Sequence, residues 1–394
     1  MITTPLPEIL VLGILLLAGW FAHSIGRSTH VPRVTLLLVL GIIAGPSFLD
    51  VIPPHVSEWF PEVTHVALAM VGFLLGESFA GREIRESGRT VLFVSIAITV
   101  GSAVAVFATT LALGYELTIA LLLAGIAPAT APAATLDVVR EYGASGPLTR
   151  TVLEVVAIDD AWGVILFSLL LVFAEGLIGN GGATPGVDLL RGLWEVGGAL
   201  ALGVVVGIPM AWMTGRVKEG EPTLLEAAGF VFICGGLALL LHVSYLLACM
   251  ALGATVANRA THHTRPFREI EGASQPFLVM FFLLAGYEYD VAAAVALGAL
   301  GVGYVLARVA GRVLAARLAA RLAGAPAVVQ KHVGWCLLPQ AGVALGLALL
   351  AAERIPAVGE TVLPLVIAAT VVFELVGPAT TWWHLEQAGE LEAA

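Results

Sequence analysis

The chain alternates long apolar runs with short polar stretches rich in Arg, Pro and Gly; Ile9 to Phe21 and Val91 to Leu113 are typical of the runs. A helix needs about 20 mostly apolar residues to cross the hydrocarbon of a bilayer. Applied along the chain, that length predicts thirteen α-helical spans at about 7–26, 32–49, 63–80, 90–112, 116–138, 149–176, 189–214, 223–241, 244–259, 274–288, 291–316, 332–352 and 361–383. The ninth and tenth are the weakest. The first run has no basic stretch ahead of it and many runs after it, so it is expected to be a retained span rather than a cleaved signal peptide.

Charge patterning tests the spans independently, because Lys and Arg collect in cytoplasmic loops. Alternate loops hold Arg27 and Arg33; Arg82, Arg85 and Arg89; Arg140 and Arg150; Arg216 and Lys218; Arg259, Arg265 and Arg268; and Arg317, Arg321 and Lys331. The opposite loops hold Arg191 and Arg354. Fifteen of nineteen basic residues on one side against two predicts an outside N-terminus, a cytoplasmic C-terminus and a multi-pass protein of the cell membrane. The other two, Arg308 and Arg312, fall inside the eleventh span.

The halves of the chain are similar to each other. Phe73-Leu-Leu-Gly76-Glu-Ser-Phe in the third span matches Phe282-Leu-Leu-Ala-Gly286-Tyr-Glu-Tyr in the tenth, with the glycines 210 residues apart. Leu40-Gly41-Ile-Ile-Ala in the second matches Leu252-Gly253-Ala-Thr-Val in the ninth, 212 apart. An offset of seven spans is odd, so the halves would lie in opposite orientation, the inverted repeat of secondary transporters. The fifth span contains Ala127-Pro128-Ala-Thr130-Ala-Pro132 and the twelfth Leu338-Pro339-Gln340-Ala-Gly342. Proline removes a backbone donor, so both helices are expected to break near mid-membrane, where irregular backbone survives only if buried or lining a cavity. Two ordinary proline kinks are the alternative.

Composition agrees: 59% of the 394 residues are hydrophobic and 12% charged, and mean hydropathy is +0.95. Cys234, Cys249 and Cys336 lie in apolar segments without metal-ligand spacing and are expected to be packing residues. A net charge of -10 without a basic tail gives no support to nucleic-acid binding. His23, His242 and His332 are scattered near span ends and His262-His263 lies in a loop, so no metal site or other cofactor is expected.

The candidate chemistry lies in Glu154 to Phe167, EVVAIDDAWGVILF. Asp159 and Asp160 fall about ten residues into the sixth span, roughly 15 Å deep, where a charge costs several kcal/mol. Neighbouring helical positions diverge by about 100°, so different environments are expected for the two carboxylates. Such a carboxylate can take up a proton, and when ionised it offers oxygen to a hard cation such as Na+. Competition for one site that reaches one side at a time is a mechanism for exchange. Arg308, near the middle of the eleventh span, is the expected counter-charge, and arginine does not deprotonate. Arg312, one turn away, either snorkels or touches the site. Glu374 aligns with Asp160 at an offset of 214 and belongs to a core network or pairs with an arginine such as Arg312. Glu154 is either a cytoplasmic entrance or a solvated residue; Glu77 and Glu288 are expected to be structural.

Val31-Pro-Arg33, Leu40-Gly41-Ile-Ile-Ala-Gly45-Pro46, Ala157-Ile-Asp159-Asp160, Leu338-Pro339-Gln340-Ala-Gly342 and Glu374-Leu-Val-Gly377-Pro378 together resemble, in that order, the second monovalent cation:proton antiporter family. That family holds bacterial Na+/H+ exchangers and the membrane parts of K+ efflux systems. The resemblance implies the all-α antiporter fold with two crossed discontinuous helices, alternating access by an elevator-like movement, and a homodimer. It implies one membrane domain over 1–394, with dimerisation helices at about 1–50 and 189–260 and a core at about 63–176 and 274–383. It further implies Asp160 as the ion-binding and proton-carrying carboxylate, Asp159 as the one paired with a basic residue in Arg308-Val-Ala-Gly311, and Thr130 as a ligand at the fifth-span break. Electrogenic members with two aspartates carry lysine where Arg308 stands, so exchange of one proton for one cation is expected. The chain ends about ten residues after the last span, without the nucleotide-binding regulatory domain usual in K+ efflux systems. The expected function is therefore antiport of a monovalent cation, Na+ or Li+, for H+, with no enzymatic activity. K+/H+ antiport or K+ efflux, and an organic-anion/Na+ symporter on a related fold, are the alternatives. A channel is disfavoured by the broken helices, and an intramembrane aspartyl protease by the adjacency of its two aspartates.

Overall fold

The computed structural model describes residues 8–29, 33–46, 48–49, 59–79, 88–178, 185–214, 223–260, 264–287, 289, 298–340 and 342–391. Arg82, Arg85, Arg216, Lys218, His262, His263 and Glu288 lie outside the described residues. Described secondary structure is helical throughout: α1 Glu8–Thr29, α2 Arg33–Ala44, α3 Phe60–Gly76, α4 Arg89–Ala112, α5 Leu117–Ile126, α6 Pro132–Glu141, α7 Pro147–Ile178, α8 Pro185–Thr214, α9 Thr223–Leu240, α10 Tyr245–Arg259, α11 Thr264–Tyr287, α12 Gly298–Leu322, α13 Ala327–Cys336, α14 Gly342–Arg354 and α15 Pro356–Ala388. A short 3₁₀ turn, Glu77–Phe79, follows α3. Seven helices (α4, α7, α8, α9, α11, α12 and α15) are long and apolar enough to cross a membrane by length and composition. The figure of thirteen crossings rests on the sequence alone.

Each expected span contains a helix, and the fifth and twelfth contain two. The tenth starts ten residues earlier than hydropathy suggested, at Thr264. Its first turns carry Arg265, Arg268, Glu269 and Glu271, whose charges hide an amphipathic start from any test of mean hydropathy. Ends follow local chemistry. Ser244 accepts the Leu247 amide at the start of α10, Pro356 opens α15, and Gly389, at φ +69°, closes it in the left-handed conformation that glycine adopts without strain.

The halves of the molecule repeat. Leu117–Ile126 and Ala327–Cys336 are half-helices of 10 residues each, and both their ends are 210 positions apart, as are the starts of α6 at Pro132 and α14 at Gly342. The glycines carry the same symmetry. Gly41 of α2 abuts Gly286 of α11, while its repeat partner Gly253 of α10 abuts Gly76 of α3. Gly101 of α4 abuts Gly311 of α12, again 210 positions away. A Cβ at Gly41, Gly253 or Gly311 would collide with the facing carbonyl of Leu283, Phe73 or Gly101. Small residues let membrane helices approach to backbone contact, where dispersion rather than the hydrophobic effect holds them.

Packing divides the helices into two groups. One holds α4, α5, α6, α7, α12, α13, α14 and α15; the other holds α1, α2, α3, α8, α9, α10 and α11. Of the stretches expected to form the core, α3 and α11 pack chiefly on α2, α9, α10 and each other. The glycine contacts just described are the cause.

Candidate functional site

Two broken helices cross at the centre of the first group. The α5 ladder ends at Ile126 and α6 begins at Pro132; the α13 ladder ends at Cys336 and α14 begins at Gly342. The breaks touch, with the Ala131 amide donating to the Pro339 carbonyl at 3.1 Å. Gly377 of α15 packs directly on the Pro339 ring. Pro128 and Pro339 lie inside the interruptions, and Pro132 and Gly342 open the helices that follow them.

Each interruption frees carbonyls that a continuous helix would have used, and buried carbonyls need donors. Arg308 supplies them. Its Nε donates to the Ala127 carbonyl at 2.8 Å, Nη2 to Ala129 at 2.7 Å and Nη1 to Leu338 at 2.8 Å. The guanidinium also lies 4.2 Å from the centre of the Phe373 ring, within cation–π range. Fully buried, it binds both breaks at once. It also sits where the C-terminal ends of α5 and α13 each present roughly half a negative charge.

Arg312, one turn along α12, meets the aspartates. Its Nη2 lies 2.9 Å from Asp159 Oδ2 and its Nη1 donates to the Pro128 carbonyl at 2.9 Å. The expectation that Arg308 pairs with Asp159 is thus corrected: Arg312 takes that place and does not snorkel. The reason is competition for donors. Three freed carbonyls occupy the Arg308 fork, leaving its neighbour on the same helix face for the carboxylate.

Thr130 joins both aspartates. Its amide donates to Asp160 Oδ1 at 2.8 Å, and its hydroxyl oxygen lies 2.9 Å from Asp159 Oδ1 and 3.2 Å from Asp160 Oδ1. One hydroxyl proton serves one of the two at a time. The carboxylates therefore do not occupy separate surroundings as helical divergence suggested, because Thr130 lies between them and both side chains bend to it. Their second oxygens differ. Asp159 Oδ2 is held by Arg312, whereas Asp160 Oδ2 is buried with no hydrogen-bond partner among the described residues.

The remaining candidates lie apart. Glu374 is buried on α15 and interacts electrostatically with Asp137 of α6; the Arg312 ion pair goes to Asp159 instead. The offset of 210 also places Thr370, not Glu374, opposite Asp160. Glu154 pairs with Arg150 at 2.8 Å on the wall of an open cleft of about 490 Å³ at the start of α7, which the aspartates do not line. Glu77 opens the 3₁₀ turn after α3. His332, expected to stand alone, lies with Nδ1 2.7 Å from His384 Nδ1. Nothing in the sequence pointed to that pair, since packing of α13 on α15 brings together positions far apart in the chain. Among the described residues no group of three His, Cys, Asp or Glu could hold a metal ion, and the three cysteines are free and buried.

The ammonium/H+ antiporter subunit AmhT of Alkalihalophilus pseudofirmus is 23% identical over 361 residues, 89% of this chain and 88% of that protein. The K+/H+ antiporter subunit KhtU of Bacillus subtilis is 22% identical over 331 residues, 79% of this chain and 78% of that protein. The structure of the sodium proton antiporter MjNhaP1 from Methanocaldococcus jannaschii at pH 8 superposes with a TM-score of 0.70 at 20% identity, over 97% of this chain and 96% of that one. The likeness of fold covers nearly the whole chain, and residues 12–386 match the family model described as sodium/hydrogen exchanger, transmembrane. This chain therefore belongs to the sodium/hydrogen exchanger family, membrane transporters that exchange monovalent cations for protons.

Proposed function

We propose that this protein exchanges one monovalent cation, Na+ or Li+, for one proton, and that Asp160 carries both in turn. The observation that supports this is the unequal treatment of two adjacent buried carboxylates: Asp159 is tied to Arg312, while Asp160 keeps a free oxygen. Arginine stays protonated, so neither Arg308 nor Arg312 delivers a proton. Asp159, tied to Arg312, acts as structure rather than carrier. Protonated Asp160 and cation-bound Asp160 carry the same net charge. A cycle that swaps one for the other moves no charge, so the exchange is 1:1 and electroneutral.

The two packing groups provide a basis for alternating access. The group holding both broken helices carries the site as one body, and the group with α1–α3 and α8–α11 acts as a scaffold through which two copies dimerise in the cell membrane, with the N-terminus outside. Broken helices are tolerated at mid-membrane only where they line a site or are buried, and here they enclose the aspartates. Relatives named for K+ and for ammonium favour a second reading, in which one of those larger cations is the cargo.

Reconstitution into liposomes with a trapped pH dye tests both readings. An imposed Na+ gradient is expected to drive proton movement, unaffected by an imposed membrane potential, and Asp160→Asn is expected to abolish it while the protein stays folded. A response to K+ or ammonium alone would establish the second reading. Failure of Na+, Li+, K+ and ammonium alike to move protons would sink antiport altogether.

A further inference from the structure

The inverted repeat provides each half of the site with a counterpart. With the half-helices 210 positions apart, Thr130 corresponds to Gln340 and Asp160 to Thr370. The second pair bears no charge, yet both side chains are fully buried. Among the described residues, Gln340 Oε1 and Thr370 Oγ1 have no hydrogen-bond partner, and neither has Asp160 Oδ2. Buried polar atoms are nearly always satisfied.

Neighbouring contacts tie each of these residues to the crossing of the two breaks. Gln340 directly follows Pro339, whose carbonyl accepts the amide of Ala131, the residue after Thr130. The Gln340 amide nitrogen lies 3.3 Å from the Tyr304 hydroxyl of α12, which leaves its carbonyl oxygen uncommitted. On α15, Thr370 shares a face with Phe373 and Gly377, and these two meet Arg308 and Pro339. Its hydroxyl, like those of Thr35 and Thr64, makes no bond back to its own helix. Thr99, Thr110, Thr255 and Thr381 return their hydroxyls to the carbonyl four residues back, whereas Thr370 does not.

We propose that Gln340 and Thr370 are specificity-determining residues, whose neutral oxygens complete the shell of the transported cation around Asp160. This rests on the reading of Asp160 as the exchanging carboxylate. A dehydrated cation needs several oxygens, and selectivity follows their number and field strength. Asp160 Oδ1 is already committed to the Thr130 amide, so the first repeat offers one free carboxylate oxygen and the second supplies neutral ones. The carboxylate sets the charge that is exchanged, and the neutral pair sets which cation fits.

The test is the apparent KM for Na+, Li+ and K+ in proteoliposomes for Gln340→Ala, Thr370→Val and Thr370→Ser, together with cation protection of the purified protein against thermal unfolding. Losing one ligand to a charged species is expected to raise the KM of the preferred cation about tenfold or more while shifting the others much less. Thr370→Ser, which keeps the hydroxyl, is expected to retain wild-type preference in both measurements. Tyr304→Phe separates ligation from packing: if it reproduces the full effect of Gln340→Ala, the amide acts through Tyr304 and the proposal falls. Equal factors for every cation, no change at all, or identical behaviour of the Ser and Val variants would also overturn it. Absence of antiport in the wild type would instead defeat the reading of Asp160.

Discussion

The Asp159–Arg312 pair offers the sharpest test of how labour is divided between the two aspartates. Asp159→Asn leaves Arg312 charged and fully buried, with the Pro128 carbonyl at 2.9 Å as its remaining acceptor. Arg312→Gln leaves the Asp159 carboxylate with the Thr130 hydroxyl at 2.9 Å. Removing one member of a buried ion pair costs about 3–5 kcal/mol, because the other charge stays desolvated. Independent effects would sum to about 6–10 kcal/mol, but the double variant carries neither charge, and it is expected to lose less than about 3 kcal/mol. Unfolding in mixed micelles, followed by circular dichroism, measures all three. The double variant is also expected to retain electroneutral exchange at Asp160. Additivity within about 0.5 kcal/mol would refute the pairing, and loss of exchange in a folded double variant would show that Asp159 takes part in carrying the proton.

Other outcomes follow from the same geometry. Arg308→Met strands three buried carbonyls, each worth about 1–3 kcal/mol, and is expected to lower the unfolding midpoint more than any single substitution of an exposed residue. Arg312→Lys places a group able to deprotonate beside Asp159; it is expected to make the exchange rate respond to membrane potential, as read by a potential-sensitive dye. Because proton and cation compete for one carboxylate, apparent KM for the cation is expected to rise as pH falls while maximal rate holds. Constant KM across pH would count against a shared site. Glu390 accepts the Leu148 and Thr149 amides and the Thr149 hydroxyl at the start of α7, all at 2.7–2.8 Å; Glu390→Ala is expected to cost about 1–2 kcal/mol, as loss of a helix cap does, without altering cation preference.

Much of this was legible in the sequence because membranes punish departures from simple patterns. Apolar length placed the helices, and the cost of a mid-membrane charge drew attention to Asp159 and Asp160. The repeat put breaks at Pro128 to Pro132 and Pro339 to Gly342. Proline alone would have misled, since Pro209, Pro276, Pro364 and Pro378 lie inside continuous helices. The partners of α3 and α11 were not legible, because they are set by glycine contacts between distant positions.

What the sequence determined by itself was the set of charges and interruptions that had to be reconciled within the bilayer: two aspartates, two arginines one turn apart, and two segments unable to complete their hydrogen-bond ladders. Which arginine answered which need was decided only by tertiary structure. The crossing of the breaks sets three carbonyls around Arg308 and leaves Arg312 for Asp159. It also brings Thr130 between both aspartates and leaves one oxygen of Asp160 unclaimed. Spacing along one helix orders side chains around an axis, but the donors and acceptors they meet come from other helices, and those arrive only when the two halves pack.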